Sequence, residues 1–202
     1  MSAAVLAALG LAAAEAAGEA EPAPGAEDTG GPLVGDQELG ARVGVALGGR
    51  TTPGGLRLSG HHLYRLADRD WFDAGVAFTF GSGREACFRD RRDEVVCQHG
   101  FASGFAAEML AGVSRFFKAE DPFSPFVRGG LGARLIAFPG DDLRGVAVPV
   151  WAGAGVRARV HPGIAVTGGA ELRVGPAWMT RDIGLEPHAS FAITAGVDFS
   201  LD

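Results

Sequence analysis

The chain has 202 residues, is 47% hydrophobic and 21% charged, and carries a formal net charge of -6. That length suits one domain, or one barrel, with a short appendage, and the acidic balance without any basic cluster excludes nucleic acid as an expected partner. Glycine is the outlier: 32 residues, where average usage of about 7% would give roughly 14. No Gly-X-Y period accompanies it, which excludes a collagen-like rod, and the apolar content is too high for a disordered linker. Beyond the N-terminus no charge-free run reaches the ~18 residues that a spanning helix needs.

Met1 to Ala14 is a charge-free, Ala/Leu-rich run followed by small-residue contexts, Ala12-Ala13-Ala14 and Ala14-Glu15-Ala16. Residues 1–17 therefore read as the apolar core and end of a secretory signal, without its basic start. An Ala-rich tail on a cytosolic protein is the competing reading. Residues 18–38 are rich in Gly, Glu, Pro, Ala and Asp and read as a solvated acidic linker. Neither cysteine lies near the cleavage contexts, so no lipoprotein anchor is expected.

From residue 39 to 202 the hydrophobic period is two. In the last segment Phe191, Ile193, Ala195, Val197, Phe199 and Leu201 alternate with Ala192, Thr194, Gly196, Asp198 and Ser200. Such alternation predicts strands with one apolar and one polar face. Eight segments follow this rule: 39–49, 55–67, 71–82, 102–117, 124–138, 145–160, 163–178 and 189–201. Segments two and four are the least regular, because His62 falls on the apolar face and Leu110 and Phe116 on the polar one. Eight long strands joined in series predict an all-β, antiparallel up-and-down barrel, and their lengths reach the ~9–11 residues needed to cross a bilayer at a tilt.

Two barrels share that count and are inside out relative to each other: a soluble lipocalin-like barrel with an apolar interior, and a transmembrane barrel with a polar lumen. The polar face here is built of glycines interleaved with single charges: Arg42, Arg57, Arg65, Asp73, Glu108, Arg128, Arg134, Arg157, Arg159, Glu171, Arg173 and Asp198. Glycine weakens a water-facing strand, but a narrow lumen needs small residues beside long arginines. The transmembrane barrel with an Arg/Gly-rich lumen is therefore the favoured fold. Its lumen charges are expected to pair on neighbouring strands, Glu171 with Arg157 or Arg159 and Asp198 with Arg173. Trp71, Trp178, Tyr64, Phe80, Phe117 and Phe138 fall near strand ends, as aromatic girdles would. Mostly longer connections (48–54, 82–101, 139–144, 179–188) alternate with short turns (67–70, 118–123, 161–162). An even strand number leaves both termini on the short-turn side.

The final octapeptide, Thr194-Ala195-Gly196-Val197-Asp198-Phe199-Ser200-Leu201, resembles the C-terminal insertion signal of outer-membrane barrels, with Thr194, Gly196, Phe199 and Leu201 as its marks. It departs from that signal in ending on Leu201 rather than an aromatic residue, and in the extra Asp202. Residues 39–202 resemble the small eight-stranded outer-membrane β-barrel family, the OmpA/OmpX-like proteins. The resemblance implies the outer membrane of a Gram-negative bacterium, with both termini periplasmic. It also implies outer-membrane lipid and lipopolysaccharide as surroundings, the barrel-assembly machinery as partner, and a monomer.

Cys87 and Cys97 lie in the longest connection among Arg84, Arg89, Asp90, Arg91, Arg92, Asp93 and Glu94, and in an exported chain they read first as a disulfide. The charged loop itself reads as a solvated rim, or as a surface that meets lipopolysaccharide or a partner. The five histidines have no metal-ligand spacing, and no cofactor motif is present. Ser59 and His61 share a face, and Asp73 on the next strand is a conceivable orienting acid, but lumen salt bridges use the same residue types. The expected function is a non-enzymatic structural or interaction barrel with a closed, salt-bridged lumen; a small passive pore and a soluble ligand-binding barrel are the alternatives.

Overall fold

The computed structural model describes residues 36–49, 52–82, 86–89, 95–98, 104–117, 121–180 and 184–201. The secretory-signal reading and nearly all of the linker lie outside these residues. The strands are β1 (Gln37–Leu47), β2 (Gly55–Arg65), β3 (Asp70–Gly81), β4 (Ala86–Arg89), β5 (Val95–Gln98), β6 (Gly104–Phe116), β7 (Phe123–Phe138), β8 (Leu143–Ala147), β9 (Val150–His161), β10 (Ile164–Met179) and β11 (Gly184–Leu201).

β8 and β9 form one stave interrupted at Val148–Pro149, since both halves keep a single register against β7 and against β10. Pro149 has no N–H to give, yet its carbonyl accepts from Gly132 N (2.9 Å), and Val148 N donates to the Pro176 carbonyl (3.1 Å). Eight antiparallel staves result, and β11 closes the ring on β1 from Gln37↔Leu201 to Leu47↔Phe191. β4 and β5 form a separate two-stranded hairpin within the β3–β6 connection, with Cys87 opposite Cys97.

The registers fix the geometry of the ring. The ladder from Arg134 runs through Glu108, Ala77, Ser59, Arg42, Gly196, Thr167 and Arg157 to Ser124. It returns to β7 ten residues from where it began. A climb of ~33 Å at ~3.3 Å per residue, over a girth of ~38 Å at ~4.8 Å per strand, tilts the staves by about 40°, within the usual range for barrels.

Parity sorts the side chains as the period of two predicts. Leu39, Val43, Val76, Leu131, Leu172 and Ile193 point outward and are exposed, while Arg57, Glu108, Arg134, Arg173 and Asp198 point inward and are buried. The interior is thus polar and the exterior apolar, the reverse of a soluble ligand-binding barrel. Gly196 shows why the polar face is rich in glycine: a Cβ there would lie 2.8 Å from Arg42 Cα and against the Ala41 carbonyl.

Three expectations are corrected. β11 begins at Gly184 rather than 189, because Pro187 does not break the strand and instead sits opposite Pro176 in unbroken register. β1 begins at Gln37, which brings Glu38 out of the expected linker and into the barrel. Trp71 and Phe138 are not girdle residues but point inward and are buried, whereas Tyr64, Phe80, Phe117 and Trp178 are exposed. Leu110 and Phe116 lie on the inward face of β6, where the sequence had placed them.

Among the described residues, two apolar clusters lie inside the barrel, one toward each end. Leu63, Trp71, Phe116 and Phe126 fill the short-turn end, with Phe116 5.6 Å from Phe126 and 6.2 Å from Trp71 between ring centroids. Ile136, Phe138, Leu143 and Met179, with Ala106, Ala147 and Ala177, line the opposite end on the side of β6, β7, β8 and β10. A Cβ on Gly155 would meet Phe126 Cζ at 2.6 Å and Gly169 Cα at 2.9 Å. Gly155→Val is therefore expected to destabilise the barrel by about 1–3 kcal/mol through overpacking, measured as a lower denaturant midpoint than that of an outward Ala152→Val control.

Candidate functional site in the barrel lumen

Between the two apolar clusters the lumen is filled with charge. Glu108 on β6 is clamped from two sides: Arg57 Nη2 donates to Oε2 at 2.9 Å and Arg173 Nε to Oε1 at 3.1 Å. Arg57 also donates to Thr79 Oγ1 at 3.2 Å. Glu171 on β10 takes the second branch of Arg173 and one branch of Arg128. The other branch of Arg128 lies 3.6 Å from Asp73, which accepts from Ser114 Oγ at 2.8 Å. Charge-assisted bonds of this forked kind are the strong ones.

The short-turn half holds smaller units. Arg157 pairs with Glu38 at 2.7 Å. His61 Nε2 faces both Asp198 Oδ1 (3.0 Å) and Arg42 Nη2 (3.2 Å), and that one nitrogen serves a single partner at a time, as donor to Asp198 or acceptor from Arg42. The arginines also sit over the aromatic cluster: Arg42 and Arg128 lie 5.9 and 5.8 Å from the Phe126 ring, and Arg157 lies 5.2 Å from that of Phe116. Aromatic faces attract such cations, which joins the charged layer to its apolar floor.

The expected pairings are corrected by register. Glu171 stands opposite Gly153 on β9 and Asp198 opposite Ala165 on β10. Arg157 is then four residues along its strand from Glu171, and Arg173 eight from Asp198, roughly 13 and 26 Å at strand rise. The tilt instead brings together side chains at one height from staves that are not neighbours, such as Arg157 of β9 and Glu38 of β1. Arg65 lies outside the network, at the short-turn rim beside Asp68 (3.1 Å) and Asp36 (3.9 Å). Arg159 is half-buried near the same rim.

Ser59, His61 and Asp73 do not form a relay, because His61 turns to Asp198 and Arg42 while Asp73 turns to Ser114 and Arg128. Sequence reading missed Glu38, which fell in the linker, and His188 with Thr52, which fell in loops. In the structure Thr52 Oγ1 and His188 Nδ1 are 2.8 Å apart and both residues are buried. Parity counted back from Ser190 would have placed His188 inward. In the C-terminal octapeptide, Thr194 and Gly196 face the lumen, while Phe199 and Leu201 are exposed on the outer face beside β1.

Removing the carboxylate of Glu108 leaves two buried guanidiniums facing each other. Glu108→Gln is expected to cost about 3–5 kcal/mol, read as a lowered unfolding midpoint. Asp68→Asn, at a nearly fully exposed side chain, is expected to stay within ~0.5 kcal/mol of the unaltered protein.

No protein-family model and no curated protein matches the sequence. Among solved structures, Neisserial surface protein A (NspA) is similar with a TM-score of 0.54 at 14% identity, over 82% of this chain and 96% of that one. The N-terminal β-barrel domain of Pseudomonas aeruginosa OprF matches at 0.49 and 13% identity, over 83% and 99% of the two chains. A major outer membrane protein from Thermus thermophilus matches at 0.47 and 12%, over 82% and 99%. The ring closure, the inward charges and the likeness to NspA together show the fold: an all-β, antiparallel up-and-down barrel of the eight-stranded transmembrane kind.

Proposed function

We propose that the protein is an outer-membrane β-barrel of a Gram-negative bacterium with a structural or interaction role and no enzymatic one. The observation that carries this is the pairing of an apolar exterior with a lumen crossed by buried ion pairs and lined toward each end by apolar side chains. A lipid-facing surface must be apolar, and eight staves leave an interior only wide enough for side chains. The same ion pairs weigh against the passive-pore reading, since the clamp on Glu108 crosses the lumen from β2, β6 and β10.

In this reading residues 1–17 direct export, both termini lie in the periplasm, and the octapeptide ending at Leu201 is what the barrel-assembly machinery recognises. The protein acts as a monomer surrounded by outer-membrane lipid, with lipopolysaccharide against its loop side. Fractionation tests it. The protein is expected in outer membranes, migrating differently in gels before and after boiling, and silent in planar-bilayer conductance. Recovery as a detergent-free soluble monomer overturns the membrane reading, and steady conductance overturns the closed lumen.

We also propose that Cys87 and Cys97 are bridged. They stand directly opposite in the β4–β5 hairpin, and opposite residues of an antiparallel pair have Cα atoms about 4.5–5.5 Å apart, within the range a disulfide spans. Peptide mass mapping of exported protein is expected to find the two linked. Cys87→Ser should leave the barrel's unfolding midpoint unchanged, because every stave pairs without the hairpin.

A further inference from the structure

Among the described residues, the buried lumen charges do not balance. Six arginines (42, 57, 128, 134, 157 and 173) face five carboxylates (Glu38, Asp73, Glu108, Glu171 and Asp198). In the short-turn half Arg157 pairs with Glu38, and Arg42 reaches the charge of Asp198 through His61. The surplus positive charge therefore lies in the loop-side half. It falls on Arg134, which is 1% exposed and which, among the described residues, takes no part in the ion pairs that hold Arg57, Arg128, Arg157 and Arg173. Its one bond is a long contact from Nη1 to Ser190 Oγ at 3.5 Å, and its Nε and Nη2 have no acceptor.

His188 lies one inward position from Ser190 on β11 and is equally buried. Thr52 Oγ1 and His188 Nδ1 share a hydrogen bond, and Nε2 has no partner; in the tautomer in which the Thr52 hydroxyl donates to Nδ1, the ring proton sits on Nε2 and is free to donate. Arg134 of β7 and His188 of β11 thus flank Ser190 from two staves, close enough to feel each other's charge, in a layer that already holds Arg173. Buried donors left unmade are costly, and a buried charge without a counter-charge is costlier.

We propose that this layer binds one small monovalent anion of halide size, held by Arg134 Nε and Nη2 and by His188 Nε2, with Ser190 at its edge. The ion supplies the missing negative charge and the missing acceptor together. Glu108 stands directly across from Arg134 in the β6–β7 register and attracts it electrostatically, but it makes no hydrogen bond to Arg134 Nε or Nη2, and its single charge is already shared by Arg57 and Arg173.

Bromide is the probe. Crystals of the full folded protein grown in bromide are expected to give an anomalous peak within hydrogen-bond distance of Arg134 and His188. In detergent, the unfolding midpoint of the unaltered protein should rise with chloride or bromide at constant ionic strength set by gluconate, as ligand linkage requires. Arg134→Gln, which removes the charge, should abolish that dependence. A bromide-grown crystal without a peak at this layer overturns the site, whatever the variant does. So does a halide dependence that survives in Arg134→Gln. The closed-barrel reading is tested separately, since conductance or fractionation can fail while the bromide peak stands.

Discussion

A strand in a hydrocarbon environment cannot leave its backbone N–H and C=O groups unpaired, because no water is present to take them. Every stave here therefore has two partners, and the ring must close on itself. Closure with eight staves and a ten-residue offset leaves very little freedom. It sets the tilt, the tilt sets the radius, and the radius decides what fits inside. The arginine-rich lumen, the glycines opposite the arginines and the apolar plugs all follow from that narrow interior.

The narrow lumen also decides how charge is arranged. A guanidinium taken out of water needs a carboxylate, and where space is shortest one carboxylate serves two guanidiniums. Glu108 and Glu171 accordingly become shared corners linking β2, β6, β7 and β10. Such pairs stabilise little over a well-packed apolar core, yet breaking one is expensive. They act against every wrong register more than they add to the right one, since a slip of one residue would turn an arginine toward the apolar exterior.

Much of this was legible in the sequence, for a physical reason. A period of two reports which face a residue joins, so Val166, Glu171 and Ile193 could be assigned without coordinates. Partners were not legible, because pairing depends on register and tilt, and parity contains neither. That is why Glu171 reaches Arg128 and Arg173 instead of Arg157. The plugs were hidden for a related reason: Trp71 and Phe138 look like girdle residues from their position near strand ends, and only their parity shows that they point inward. Pro187 concealed His188, because proline reads as a strand breaker although a strand accepts it where no N–H is demanded.

The staves are unequal in length, and this has a consequence at the mouth. β1 and β2 have 11 residues each, whereas β10 has 16 and β11 has 18. Their short-turn ends are nearly flush in the register, so the difference appears at the loop side as a slanted rim. The wall of β7 to β11 stands above the sill of β1 to β3 by about five residues, roughly 12 Å at the barrel's tilt. The β1–β2 connection starts from that low sill and reaches inward, burying Thr52 and Pro53 and fastening Thr52 to His188 on the high wall. The opening is thus latched from the side by the link between Thr52 and His188.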